Sequence, residues 1–155
     1  VSAYVDHYAG ERKQNWQTPQ AMFKALHAEY GFTMDGASDA HNALLPKAIS
    51  SKDILVSWAG ERVFCNPPWN RIPEFVELAA FADLAVLLVP ARVNTKWFHR
   101  ALELGAAPRF FLGRPSFEGI TPAKGHNSPV DCLLLVFSVS RADAPEATAN
   151  PRKER

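Results

Sequence analysis

Apolar residues recur at helical spacing in three stretches of this chain and run together as short strands in five others. Met22, Phe23, Leu26 and Tyr30 form one apolar face between Thr18-Pro19 and Gly31. That spacing predicts a helix with Thr18 as N-cap, Pro19 at the first helical position and Gly31 as its stop. Phe75, Leu78, Ala79 and Ala82 repeat the pattern over residues 72–82, with Pro73 in the first turn. Over residues 95–104, Trp97, Phe98, Ala101 and Leu102 are available to pack inward. Leu84 to Val89 is unbroken apolar sequence closed by Pro90, the pattern of a strand buried on both faces of a parallel sheet. Val63-Phe64-Cys65, Phe32 to Asp35, residues 109–112 and residues 132–139 read as further strands. Residues 39–57 read as loop more than element, with Ile54-Leu55-Val56 as a short strand or an apolar plug. Strands alternating with helices describe an α/β domain built on a mostly parallel sheet.

A length of 155 residues suits one such domain, and 47% hydrophobic residues make it globular. We expect an N-terminal arm over residues 1–15, the folded domain over 16–140 and a disordered tail over 141–155. The formal net charge is only +1, so charge distribution has to carry any argument for nucleic acid. Cys65 and Cys132 sit in apolar runs and read as buried thiols, with neither a disulfide framework nor a metal site suggested. No apolar stretch reaches membrane-span length and the N-terminus has no signal-peptide layout, so a soluble protein of a reducing compartment is expected. A chain that begins at Val1 implies a removed initiator methionine or a trimmed start.

The densest chemistry lies in Asn66-Pro67-Pro68-Trp69, at the end of one predicted strand. Each proline fixes its own φ and removes an N–H, which leaves carbonyl acceptors with few competing donors. Asn66 adds a side-chain carbonyl and Trp69 a flat apolar face. An exocyclic amine on a nucleobase is a poor nucleophile because its lone pair is delocalised into the ring. Two acceptors, from Asn66 and Pro67, would hold both amine hydrogens and leave the lone pair directed at an electrophile. A Pro-Pro turn with a structural Asn and a core Trp explains the same string. Asp35 closes a short strand ahead of the small residues Gly36, Ala37 and Ser38, where open α/β sheets bind ligands. An ordinary Asp-Gly turn explains that as well. Arg71, Arg92, Lys96 and Arg100, with Arg114, Lys124 and His126 in the Gly- and Pro-rich stretch 113–129, make a candidate basic rim for phosphates. A solvated surface is the competing account.

With Trp16-Gln17-Thr18-Pro19, Asp35 and Asn66-Pro67-Pro68-Trp69 in this order, the chain resembles the phage-type (Dam-like) DNA N6-adenine methyltransferases. The likeness continues through Val89-Pro90-Ala91-Arg92, Thr95-Lys96-Trp97-Phe98, Phe110-Phe111-Leu112-Gly113-Arg114 and Ser128-Pro129, nearly all of residues 15–137. The resemblance implies the Rossmann-like fold of S-adenosylmethionine-dependent methyltransferases, here as a small single domain. It implies double-stranded DNA as partner and S-adenosylmethionine as cofactor, with no metal and no membrane. It places the protein in the cytoplasm of a bacterial host, as a phage or prophage product. Asn66, Pro67, Pro68 and Trp69 would hold the adenine. Trp16, Thr18, Pro19, Asp35 and Ala37 would line the cofactor site, and Arg71, Arg92, Lys96, Arg114 and Lys124 would meet DNA. The turn after Asp35 departs from the glycine-rich form of larger adenine methyltransferases. No separate recognition domain fits, which leaves sequence readout to loops, chiefly 113–129. Two other readings keep the fold: a methyltransferase acting on another planar amine (RNA adenine, cytosine N4, protein glutamine), or an inactive nucleic-acid-binding module.

Overall fold

The computed structural model of the chain describes residues 17–38, 42–50, 52, 56–111 and 131–139. The expected arm and tail, Trp16, Ile54, Leu55, and Arg114, Lys124 and His126 of the 113–129 stretch lie outside the described residues. Six strands form one sheet: β1 (Met34–Ser38), β2 (Ala48–Ser50), β3 (Arg62–Cys65), β4 (Leu84–Pro90), β5 (Ala107–Phe110) and β6 (Cys132–Ser138), in the order β2-β1-β3-β4-β6-β5. The first four are mutually parallel. β6 runs antiparallel to both β4 and β5. The sheet is therefore mixed, with four adjacent parallel strands.

β4 sits at the centre because every one of its seven residues is buried. Its side chains alternate between two cores, as a period of two requires. Ala85, Leu87 and Val89 pack with Ile72, Phe75 and Val76 of α2 (Ile72–Ala79) and with Phe98 and Ala101 of α3 (Lys96–Glu103). Leu84, Val86 and Leu88 pack on the other face with Phe23, Leu26 and Tyr30 of α1 (Gln20–Tyr30). The result is a sheet between helices, the small α/β class expected.

α1 has no side-chain hydrogen bond at its N-terminus, and it starts at Gln20 with Pro19 as the flanking residue. Thr18 is therefore not its N-cap. A cap contributes about 1 kcal/mol, whereas burying Phe23, Leu26 and Tyr30 contributes roughly 1.5–3 kcal/mol each, so docking holds this helix without one. Gly31 stops it in the left-handed region at φ 62°. Arg62 then closes the end, its guanidinium donating to the Tyr30 carbonyl at 2.8 and 2.6 Å. α3 begins as its sequence predicts, with the Thr95 hydroxyl accepting from the Phe98 N–H at 3.4 Å.

Several boundaries move. α2 stops at Ala79, short of the predicted 82, and Leu102 points to solvent while Phe98 and Ala101 take the inward positions. β5 is two residues earlier than residues 109–112. The stretch expected to be loop contains β2, a three-residue edge strand too short to show a period. β1 runs through Gly36, Ala37 and Ser38, which were expected as a turn. The reason lies partly at Gly36: a Cβ there would stand 2.7 Å from both the Trp58 indole and the Val63 side chain. Trp58 is fully buried, so the missing side chain makes room for an indole in the core. Gly36→Ala is expected to destabilise the fold by about 1–3 kcal/mol through overpacking. Urea unfolding measures it; a variant as stable as the parent would show that Trp58 can move aside.

Candidate active site at the carboxyl ends of the parallel strands

From β1 the chain moves outward to β2, and from β3 it moves the opposite way to β4, so the strand order reverses between β1 and β3. Open α/β sheets leave a crevice at such a point, outside the carboxyl ends of the strands. Asn66 follows β3 directly. Phe64, two residues earlier, belongs to the core under α1, so Asn66 projects to that same side. Asp35 is in register with Phe64 across the β1–β3 ladder, while its neighbour Met34 belongs to the opposite core. The Asp35 side chain therefore also lies on the α1 side. Thr18, at the start of α1, comes to the same corner: Asn66 Nδ2 donates to Thr18 Oγ1 at 3.3 Å. Thr18 is only 5% exposed, a buried hydroxyl engaged with Asn66 across 48 residues of sequence.

The loop after Asn66 is tighter than its two prolines alone imply. The carbonyl of Pro68 accepts the Arg71 N–H at 2.9 Å and opens a 3-10 turn over Trp69–Arg71. The expectation that carbonyls here lack donors thus fails at Pro68; this turn leaves the Pro67 carbonyl out of its own bonding. Pro67 is buried. Trp69 is half-buried and packs against both cores, which places its indole at the top edge of the sheet where the two layers meet.

Asp35 is the second residue of β1, not its end. Its Oδ1 accepts the Ala37 N–H at 3.2 Å and its Oδ2 accepts the Leu44 N–H at 3.0 Å. The carboxylate thus ties the segment before β2 to β1. Burial raises its pKa above the ordinary value, and the two N–H bonds pull it partly back. Among the described residues no cationic side chain contributes to that balance. Burial likewise pushes the adjacent Cys65 thiol well up, with the Asp35 charge adding to the effect. Both cysteines are buried thiols, as their apolar surroundings predict. Leu44, and Ser38 with its hydroxyl donating to the Ile49 carbonyl at 3.3 Å, shape this corner and were not singled out by the sequence. A polar Ser38 at 6% exposure is visible only once β2 is in place.

The candidate basic rim divides. Arg71 is bound to Glu74 at 2.8 Å and stands 6.0 Å from the Phe75 ring centroid. Arg100 is held by Glu77 at 2.7 Å and by Glu103 at 3.4 Å. Both charges are thus partly neutralised. Arg92 and Lys96, at the carboxyl end of β4 and the start of α3, have no acidic partner among the described residues. β5 ends and β6 begins at this same end of the sheet. Among the described residues no group of three His, Cys, Asp or Glu is placed to hold a metal ion, and no helix is long and apolar enough to cross a membrane.

The family model of DNA N-6-adenine-methyltransferase (Dam) matches residues 6–148 of the chain. Among solved structures, a "putative methyltransferase" from Thermoplasma acidophilum matches with 16% identity and a TM-score of 0.30, over 77% of this chain and 54% of that one. This chain thus spans about half the length of that protein. No curated protein matches.

The raised pKa of Asp35 fixes the sign of a pH effect. The cost of holding it ionised is absent below its ordinary value and complete above its raised folded value. The stability of Asp35→Asn relative to the parent should therefore improve as pH rises through that window, read by urea unfolding at a series of pH values. A difference independent of pH would contradict the assignment of burial as the dominant effect.

Proposed function

The chain belongs to the DNA N-6-adenine-methyltransferase (Dam) family, and on that premise we propose that it transfers a methyl group from S-adenosylmethionine to the N6 amine of adenine in double-stranded DNA. The observation that carries this reading is the position of Asn66, at the reversal of strand order, beside an acceptor loop and on the same face as Asp35.

The target amine lies inside a base pair, so the adenine has to leave the stack, at a cost of a few kcal/mol. Trp69 offsets that cost by stacking, worth about 1–3 kcal/mol per base. The Asn66 side-chain carbonyl and the Pro67 carbonyl accept the two amine hydrogens, and Pro68 fixes the loop that carries them. Held in this way, the N6 lone pair faces the crevice. As N6 becomes cationic in the transition state, the same two oxygens stabilise the charge, and the surplus proton later leaves to water. The chain's contribution to rate is mainly the positioning of donor and acceptor.

The residues present suit the methyl donor. Asp35 is a buried carboxylate with two N–H partners and no cation beside it among the described residues, and buried charges are normally paired. A ligand bearing positive charge would complete it. S-adenosylmethionine, when bound, supplies a methyl group on a cationic sulfur, ready for direct displacement. Asp35, Ala37, Thr18 and Pro19 would border it, with Trp16 next to them in sequence.

Arg92 and Lys96 are the leading phosphate contacts, joined by Arg114 and Lys124 of the 113–129 stretch, which would supply sequence readout. Arg71 would first have to leave Glu74. The setting is a bacterial cytoplasm, as a phage or prophage protein.

Transfer of tritium from labelled S-adenosylmethionine to DNA, RNA and protein tests the proposal. DNA should be labelled, Asn66→Ala should lose at least about a hundredfold in turnover, and Lys96→Ala should keep turnover at low salt while its binding loses about one unit of salt slope. An active Asn66→Ala enzyme, or label only in RNA or protein, would refute it.

A further inference from the structure

An asparagine amide presents an acceptor on one side of Cγ and a donor on the other, and the two faces exchange by a half-turn of the terminal torsion. Only one of those orientations serves an incoming amine. With its NH2 turned outward, Asn66 would offer donors to donors, and the site would lose one of its two grips. Something has to hold the amide in the useful sense.

We propose that the Thr18 hydroxyl is a positioning group for Asn66: by accepting from Nδ2 at 3.3 Å it turns Oδ1 of the amide away from α1 and toward the place of the target amine. The proposal rests on the reading of Asn66 as an amine acceptor and goes beyond it, because it gives Thr18 a role toward the substrate in addition to its place beside the cofactor. Three observations support it. The Thr18 side chain does not cap α1, although a threonine ahead of a helix usually does so. Its hydroxyl is buried, so water does not compete freely for the amide. Its position is set by the docking of α1, since Phe23 closes the first helical turn onto the Pro19 carbonyl at 3.0 Å and packs on Phe64 of β3. Helix and strand end are thus fixed relative to each other, and a threonine at this point can hold an asparagine 48 residues away.

The alternative is that Thr18 serves the cofactor alone. Thr18→Val keeps the branched shape and removes the hydroxyl, while Thr18→Ser restores the hydroxyl and removes a methyl group. We would measure kcat and KM on unmethylated duplex DNA, and the dissociation constant of S-adenosylmethionine by calorimetry, for both variants. The expected result is a fall in kcat of about tenfold to a hundredfold for Thr18→Val, exceeding any change in cofactor affinity, with most of the loss recovered in Thr18→Ser. Far-ultraviolet circular dichroism and thermal melting check that each variant is folded; if Thr18→Val is not, Thr18→Ala takes its place with the same expectation. A loss confined to cofactor affinity, or no loss at all, would overturn the proposal. Asn66→Ala, run alongside, separates the two levels: if it is as active as the parent, the reading of Asn66 itself fails and takes this inference with it.

Discussion

Phe23 of α1 meets Phe64 of β3 with ring centroids 5.4 Å apart and planes 71° to one another. Such an edge-to-face pair contributes about 0.5–1.5 kcal/mol beyond the area it buries. Its larger consequence is geometric. It fixes where α1 begins relative to where β3 ends, and those two points carry Thr18 and Asn66. Phe32, at 6.1 Å from Phe23 and 5.5 Å from Phe64, completes the cluster below them. The amide and the hydroxyl meet where these three phenyl rings seat α1 on β3.

The site built on this packing combines groups whose costs are covered in different ways. The Asn66 amide donates to the Thr18 hydroxyl. The Asp35 carboxylate takes two backbone N–H groups and has no cation beside it among the described residues. Burial without a counter-charge opposes ionisation, and a positively charged ligand reverses that balance. The same low-dielectric corner that penalises the anion strengthens any bond it makes. Acids already hold Arg71 and Arg100, whereas Arg92 and Lys96 have no acidic partner among the described residues.

Much of this was legible in the residues. The run Leu84 to Pro90 reads as a doubly buried strand, and it became the centre of the sheet. Gly31 stopped a helix where its freedom at positive φ was needed. Asn66-Pro67-Pro68-Trp69 stood at a strand end, as two prolines after an apolar run imply. Three of the misses were decided by a contact distant in sequence. β2 exists because β1 offers it a ladder, and its three residues alone show no alternation. Asp35 looked like the end of a strand because Gly36, Ala37 and Ser38 are turn formers, yet Trp58 demands a glycine within the strand. Thr18 looked like a cap because caps are local, while its partner was 48 residues away. Arg71 pairs with Glu74 three residues away, whereas Arg100 of α3 reaches Glu77 of α2 because the two helices stand side by side.

The central claim is that the Asn66 corner grips an adenine amine and not some other planar NH2. Nucleoside mass spectrometry tests it most directly, on DNA and RNA from a host that lacks adenine methylation of its own and expresses the chain. The account predicts N6-methyladenine in the DNA. N4-methylcytosine in its place, or methylated adenine confined to RNA, would contradict it.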